Sequence, residues 1–169
     1  MSMIRVVWGS ASGPTAMASY DAALAEAGVE NYNLVSVSSM IPAETAVEAV
    51  GTAPDLGPAG ERLTVVEARA TTAEAGRASA ALAWSQSVDG GPGLFYETAG
   101  EQDSDDVKRR VLEGLTAGQE LRAWQFDEPT VVVESTEAEP EAEVEADPGP
   151  GTHTTALVLA IYGESEPLL

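Results

Sequence analysis

Residues 35–44 read VSVSSMIPAE, and the adjacent serines at the centre, Ser38 and Ser39, are a place where the chain could react with itself. A serine hydroxyl can attack the carbonyl of the residue before it when a strained loop holds the two close, because proximity replaces an external nucleophile. The peptide between Ser38 and Ser39 would become an ester. β-Elimination would then free the upstream chain and leave dehydroalanine, and hydrolysis would turn that into an amino-terminal pyruvoyl group. Such a carbonyl condenses with a substrate amine and draws off electrons as CO₂ leaves. Serines at the end of an apolar, β-prone run also form plain turns, and the dipeptide alone does not separate the two readings. Thiol and imidazole groups are scarce. The absence of cysteine excludes disulfides, thiolate nucleophiles and Cys-based zinc sites. His153 is the only histidine, so a multi-histidine metal site is excluded and a Ser-His-Asp triad could be built only around it.

The elements that must hold these residues belong to a chain of 169 residues, enough for one domain with a real core. Apolar residues make up 44% and aromatics only 5%, so the core must rest on Ala, Val and Leu. The formal net charge is −20, from 28 acids against 8 bases, and Lys108 is the only lysine. Such a surface repels nucleic-acid phosphates and anionic membranes, which predicts no nucleic-acid partner. It is the composition expected of a protein working in molar salt, where the screening length shrinks to about 3 Å. A halophilic cytoplasm is the setting this predicts; the alternative is an acidic mesophilic protein, which would rarely be so short of lysine. The opening MSMIRVVWGS has too short an apolar run for a signal peptide, and ALVLAIY (156–162) is far below membrane-spanning length.

MIRVVWG (3–9) reads as a strand and GSASG (9–13) as a small-residue loop. Pro14 suits the first turn of a helix whose Met17, Tyr20, Leu24 and Ala27 recur at helical spacing, with Gly28 as its cap. NYNLVSVSS (31–39) returns to strand character, and 51–61 is a Gly/Pro-rich loop. RLTVVEARAT (62–71) and GPGLFYET (91–98) read as strands, whereas the Ala-rich 73–86 fits helix or tightly packed sheet. DSDDVKRRVLEGLTAG (103–118) is a helix with acids first and bases at four-residue spacing, as in Asp105/Arg109 and Asp106/Arg110. ELRAWQF (120–126) alternates, 129–135 is β-rich, and 137–151 is an acidic, Pro- and Gly-closed segment read as a solvated loop. THTTALVLAIYG (152–163) is a buried strand. Strands flanking two helices make the class α+β.

Several of these stretches together resemble the pyruvoyl-dependent arginine decarboxylases. The resemblance begins at GSASGPT (9–15) and YDAALAEAG (20–28) and is most specific in NYNLVSVSSMIPAE (31–44). It resumes at GPGLFYETAG (91–100), LRAWQFD (121–127) and THTTALVLAIY (152–162). It implies a scissile bond between Ser38 and Ser39, giving a β chain 1–38 and an α chain 39–169, with Ser39 becoming the pyruvoyl cofactor. Asn33 matches an asparagine near the cleavage and reaction centre, where an amide could donate to the oxyanion. Glu97 matches the catalytic glutamate, a natural proton donor for the α-carbon after CO₂ departs. Asp21 matches the guanidinium-binding aspartate. On residues alone, Asn33 reads as a strand-edge residue, and Glu97 and Asp21 as surface acids. The segment 137–151 looks longer than the family's connection, 73–86 aligns poorly although the family would make it a strand, and His153 lies outside the matched site.

The resemblance further implies a four-layer αββα sandwich with antiparallel sheets, and a homotrimer of αβ units with active sites between subunits. The reaction would convert L-arginine to agmatine and CO₂, for polyamine synthesis or agmatine-dependent RNA modification, with no metal. Its rivals are a pyruvoyl decarboxylase for another amino acid such as histidine, and an unprocessed, non-catalytic trimer. The charge yields a prediction of its own. Screening should relieve self-repulsion, so the melting temperature should rise between dilute buffer and molar KCl. A melting temperature that falls steadily over that range would contradict the halophilic reading.

Overall fold

Two sheets face each other, and each carries one helix on its outer side. In the computed structural model residues 2–73, 76–137 and 152–169 are described. The elements run β1 (Ser2–Gly13), α1 (Ala16–Ala27), β2 (Asn33–Ser36), β3 (Met40–Ile41), β4 (Thr45–Gly51) and β5 (Arg62–Ala73). They continue as β6 (Arg77–Gln86), β7 (Gly93–Gly100), α2 (Ser104–Glu120), β8 (Thr130–Glu137) and β9 (His153–Tyr162). One sheet has the order β2-β5-β9-β1-β4 and the other β3-β7-β6-β8. The α+β class is as read from the sequence. The four-stranded sheet is antiparallel, but the five-stranded sheet is mixed, because β1/β4 and β2/β5 pair in parallel at its edges. Parallel neighbours need a long connection, and these have one. α1, β2 and β3 lie between β1 and β4, and β3 and β4 between β2 and β5.

Three apolar clusters hold the molecule. Ile4, Val66 and Val158 of the first sheet meet Leu82, Trp84 and Phe95 of the second. Ala23, Leu24 and Ala27 of α1 cover Val7, Val65 and Leu157 on the first sheet's outer face. Val107, Val111 and Leu115 of α2 cover Ala81, Ala83 and Leu94 on the second. Strands β6 and β9 are therefore buried on both faces. That settles the Ala-rich 77–86 as strand: small side chains let a sheet and a helix close on it from opposite sides, and no alternation survives.

The helix signals hold with local changes. Thr15, not Pro14, opens α1, its hydroxyl accepting from the Ala18 N–H at 3.0 Å, and Gly28 closes it at φ 83°. Met17 is 73% exposed, so the apolar face runs through Tyr20, Ala23, Leu24 and Ala27 instead. Asp103 caps α2 by accepting from the Asp106 N–H at 2.8 Å. Arg110 pairs with Asp106 at 3.2 Å as expected, whereas Arg109 bonds Asp106 and Glu113 rather than Asp105. The alternation in 120–126 does not make a strand. Arg122 turns back to donate to the Gly118 carbonyl at 2.7 Å, and Trp124 and Phe126 pack under α2. The helix lies directly on β7, since a Cβ on Gly114 or Gly118 would come within 2.7 or 2.6 Å of the Tyr96 ring. Of the acidic segment 137–151, only the strand assignment of Glu137 falls within the described residues.

Candidate active site

β3 is only two residues long, yet it sets the site. Met40 pairs with Leu94 and Ile41 with Gly93, and the Ser39 carbonyl extends the pairing by accepting from the Phe95 N–H at 2.8 Å. Residues alternate faces along a strand, so Phe95 and Glu97 of β7 share one face. Ser39, held opposite Phe95, lies diagonally beside Glu97. Its Oγ donates to Glu97 Oε2 at 3.0 Å. Ser38, Ser39, Met40, Phe95, Glu97 and Arg122 are among the residues lining a cavity of ≈ 390 Å³. Glu97 is exposed at its mouth, while Phe95 is fully buried beneath.

Phe95 lines the cavity with two aromatic rings against it, meeting Trp84 edge-on at 5.9 Å and Tyr162 at 6.2 Å. Behind the cavity the Tyr162 hydroxyl donates to the Met40 carbonyl at 2.6 Å. Burial, and then the negative charge of Glu97, push the Tyr162 phenol up to about 12. The phenol therefore stays protonated and a donor at neutral pH. On the opposite wall Arg122 donates to the Gly118 carbonyl, reaches the Met40 sulfur at 3.8 Å, and lies over the Trp124 ring at 5.8 Å. Neither Tyr162 nor Arg122 was singled out in the sequence as a site residue. Tyr162 follows the aliphatic run 156–161 of β9, and Arg122 is one of few bases, but their meeting at Met40 spans 122 and 82 residues.

Asn33 and Asp21 stand elsewhere in the chain. Asn33 opens β2, its side-chain amide donating to the Gly60 carbonyl and its backbone N–H to the Glu61 carbonyl, each at 2.8 Å. Asp21 is on the exposed side of α1, one turn beyond Met17. Behind it, Tyr20 donates to Glu67 Oε2 at 2.7 Å and Arg69 lies 4.3 Å over the Tyr20 ring. His153 begins β9, at the strand end. Among the described residues no group of three or more His, Asp or Glu is arranged to hold a metal ion, and no helix is long and apolar enough to cross a membrane.

A serine hydroxyl bonded to a carboxylate, in an open pocket at a strand end of an α+β fold, is the arrangement here that could do chemistry. The comparisons identify which kind. The family model described as pyruvoyl-dependent arginine decarboxylase matches residues 3–167, and this chain belongs to that family. It is 54% identical over 168 residues to a pyruvoyl-dependent arginine decarboxylase of Halobacterium salinarum, covering 99% of this chain and 98% of that protein. A relative of the same description from Pyrococcus abyssi is 34% identical over 124 residues, covering 73% and 77%. One from Methanocaldococcus jannaschii is 29% identical over 136 residues, covering 79% and 80%.

The site carries a titration signature. Tyr162 and Tyr20, the latter raised by burial and then by its bond to Glu67, both sit at about 12 instead of 10.0. Between pH 10 and 12 the folded state keeps protons that the unfolded chain releases, so stability present below pH 10 should be lost as the pH rises. In the Ser39→Ala chain the Tyr20 and Tyr162 phenols should ionise late by ultraviolet absorbance, and Tyr162→Phe should remove part of that late change. An absorbance change unaltered by Tyr162→Phe above pH 10 would contradict the burial assigned to that ring.

Proposed function

We propose that this chain cuts itself between Ser38 and Ser39 and then decarboxylates L-arginine to agmatine and CO₂. The observation that carries the reading is the Ser39 Oγ–Glu97 Oε2 hydrogen bond of 3.0 Å, inside a pocket of a chain of this family. The pyruvoyl group that the family requires fits here. Ser39 supplies its atoms, the Phe95 N–H holds its amide carbonyl, and the pocket in front of it has a volume of ≈ 390 Å³. Once formed, the group supplies a carbonyl sink for the electrons that CO₂ leaves behind.

The chain's own residues do the rest. Glu97 accepts the Ser39 hydroxyl proton during cleavage and, in the processed enzyme, delivers a proton to the substrate α-carbon from Oε2. Phe95 holds the 39–40 peptide in place and Tyr162 the 40–41 peptide. Asn33 acts as a positioning residue, securing β2 to the 60–61 turn and so the strand that leads into the scissile bond. Asp21 lies outside the pocket of its own chain. In a trimer with sites between subunits, Asp21 of one copy would meet the guanidinium of an arginine seated in another copy's pocket. A carboxylate matches a guanidinium in plane and charge, and lysine or histidine offers no such paired donors at that reach. The acidic surface supports a soluble enzyme of a saline cytoplasm, feeding polyamine synthesis or agmatine-dependent RNA modification.

Two experiments test this. Intact mass should show fragments 1–38 and 39–169, the larger lighter by one ammonia than plain hydrolysis leaves it, while Ser39→Ala stays whole. Glu97→Gln should still cut itself given time, with water taking the proton, but the processed variant should lose about 10²–10⁴-fold in decarboxylation. Decarboxylation at the wild-type rate by processed Glu97→Gln would remove Glu97 from the chemistry.

A third experiment concerns selectivity. With arginine, lysine and histidine compared in molar salt, wild type should favour arginine. Asp21→Asn should lower kcat/KM for arginine by roughly the 3–5 kcal/mol typical of a broken buried pair, with self-cleavage intact. Equal turnover of all three amino acids would leave only an unspecified pyruvoyl decarboxylase.

A further inference from the structure

We propose that the backbone N–H of Met40 is the oxyanion donor of self-cleavage. It stabilises the charge that forms on the Ser38 carbonyl oxygen when Ser39 attacks. The inference rests on the self-cleavage reading above. Its basis is a bond already present in the uncut chain, where the Met40 N–H donates to the Ser38 carbonyl at 2.8 Å. The acceptor is the carbonyl that Ser39 Oγ must attack, and donor and acceptor flank the nucleophile.

A bond from residue i+2 back to residue i makes a γ-turn centred on Ser39. Among the described non-glycine residues only Glu44 has a positive φ, so this is the inverse form common at strand ends. It stands where β3 begins. The aim of the donor is set from the other side of the same peptide. No cis bond occurs among the described residues, so the Ser39 carbonyl and the Met40 N–H point in opposite directions across one rigid plane. The Phe95 N–H fixes the carbonyl at 2.8 Å on β7, and that turns the Met40 N–H away from β7, toward Ser38. Tyr162 holds the next carbonyl, that of Met40, at 2.6 Å. The side-chain amide of Asn33 is bonded to the Gly60 carbonyl instead.

In the step itself, Ser39 Oγ bonds to the Ser38 carbonyl carbon and the C=O π pair moves onto oxygen. The C–N bond to Ser39 then breaks as the oxyanion collapses to an ester. The shift is proton-neutral: the proton lost from Oγ ends on the Ser39 nitrogen. The Met40 bond is made to a neutral carbonyl before the step and to an oxyanion during it. Bonds to ionised acceptors are about twice as strong, so the donor favours the transition state over the ground state. Single oxyanion donors are worth about 10²–10³-fold in rate.

The test replaces Met40 in the full chain by its α-hydroxy acid analogue, which exchanges the N–H for an ester oxygen and keeps the side chain. Cleavage is followed by intact mass in molar salt, with hydroxylamine added in parallel to cut any accumulated Ser38–Ser39 ester. Scission at the introduced 39–40 ester gives a different mass. Self-cleavage and hydroxylamine scission at 38/39 should both slow about 10²-fold or more. Wild-type rates in the analogue, with wild type itself cutting, would overturn the proposal. An uncut wild type would overturn the self-cleavage reading separately.

A second measurement needs no analogue. In the Ser39→Ala chain the Met40 amide should exchange slowly with solvent although Met40 is 37% exposed. Exchange at the unprotected rate would overturn the assignment even if the analogue failed to fold.

Discussion

One hydrogen bond, from the Phe95 N–H to the Ser39 carbonyl at 2.8 Å, sets the register on which the site depends. β3 contributes only Met40 and Ile41 to the sheet, too little to resist slippage. The Phe95 bond carries the pairing back to Ser39 and places it opposite a residue that cannot move. Phe95 is fully buried, with Trp84 and Tyr162 against its ring. The strand period then brings Glu97 to the same face, within reach of the Ser39 hydroxyl. A slip of one residue would turn that hydroxyl to the other face of the sheet. The site is thus exposed where it must meet substrate and rigid where it meets the inter-sheet core.

The chain combines that rigid interior with a surface of net charge −20, and polar bonds link the two. Under α1, Ser19, Thr155 and Thr71 form a run of hydroxyls 2.7 Å apart. Beside it, the Tyr20 hydroxyl, the Glu67 carboxylate and Arg69 tie α1 to β5. These contacts hold one side of the helix to the sheet and leave Met17 and Asp21 facing outward. Where both partners are exposed, as in Arg62–Glu166 and Arg109–Glu113, an ion pair contributes little, and less at high salt. Salt therefore acts on this protein chiefly by screening its acids from one another, while the clusters of small apolar side chains supply the cohesion.

Local signals in the sequence were enough for both helices, because caps and apolar spacing are short-range features. Gly28 at the end of α1, and Val107, Val111 and Leu115 on one face of α2, lie within a few residues of what they organise, whereas the caps Thr15 and Asp103 were not picked out. The same spacing misassigned Met17, since a helix face is decided by what covers it. Alternation misled at 120–126, where aromatic residues pack under a helix without strand pairing. Residues 77–86 were ambiguous for the opposite reason, as burial on both sides erases alternation. In the pocket, Ser38 and Ser39 were visible as a dipeptide and Glu97 only through family resemblance, as was Asp21, which lies outside it. Nothing local relates Tyr162 to Met40, and the parallel edges of the five-stranded sheet arise from crossovers that no single segment encodes.

The placement of the proposed Ser38–Ser39 cut explains how such a chain could be cut without falling apart. Residues 1–38 carry β1, α1 and β2, and none of these forms a separate lobe. β1 lies between β9 and β4, β2 pairs with β5, and α1 covers strands from both sides of the cut. The two fragments are therefore interleaved through one sheet, and the contacts between them do not depend on the covalent link. What such a cut would release is local: the end at Ser38 would become free to leave the pocket, while Ser39 and Met40 would remain held by Phe95 and Tyr162. The segment after the proposed cut is pinned to β7, whereas the segment before it is held on β5 through the Val37 N–H, which donates to the Val65 carbonyl at 3.0 Å, and meets Met40 through the γ-turn. Self-cleavage at this position would open the site by removing one side of a turn rather than by rearranging the fold.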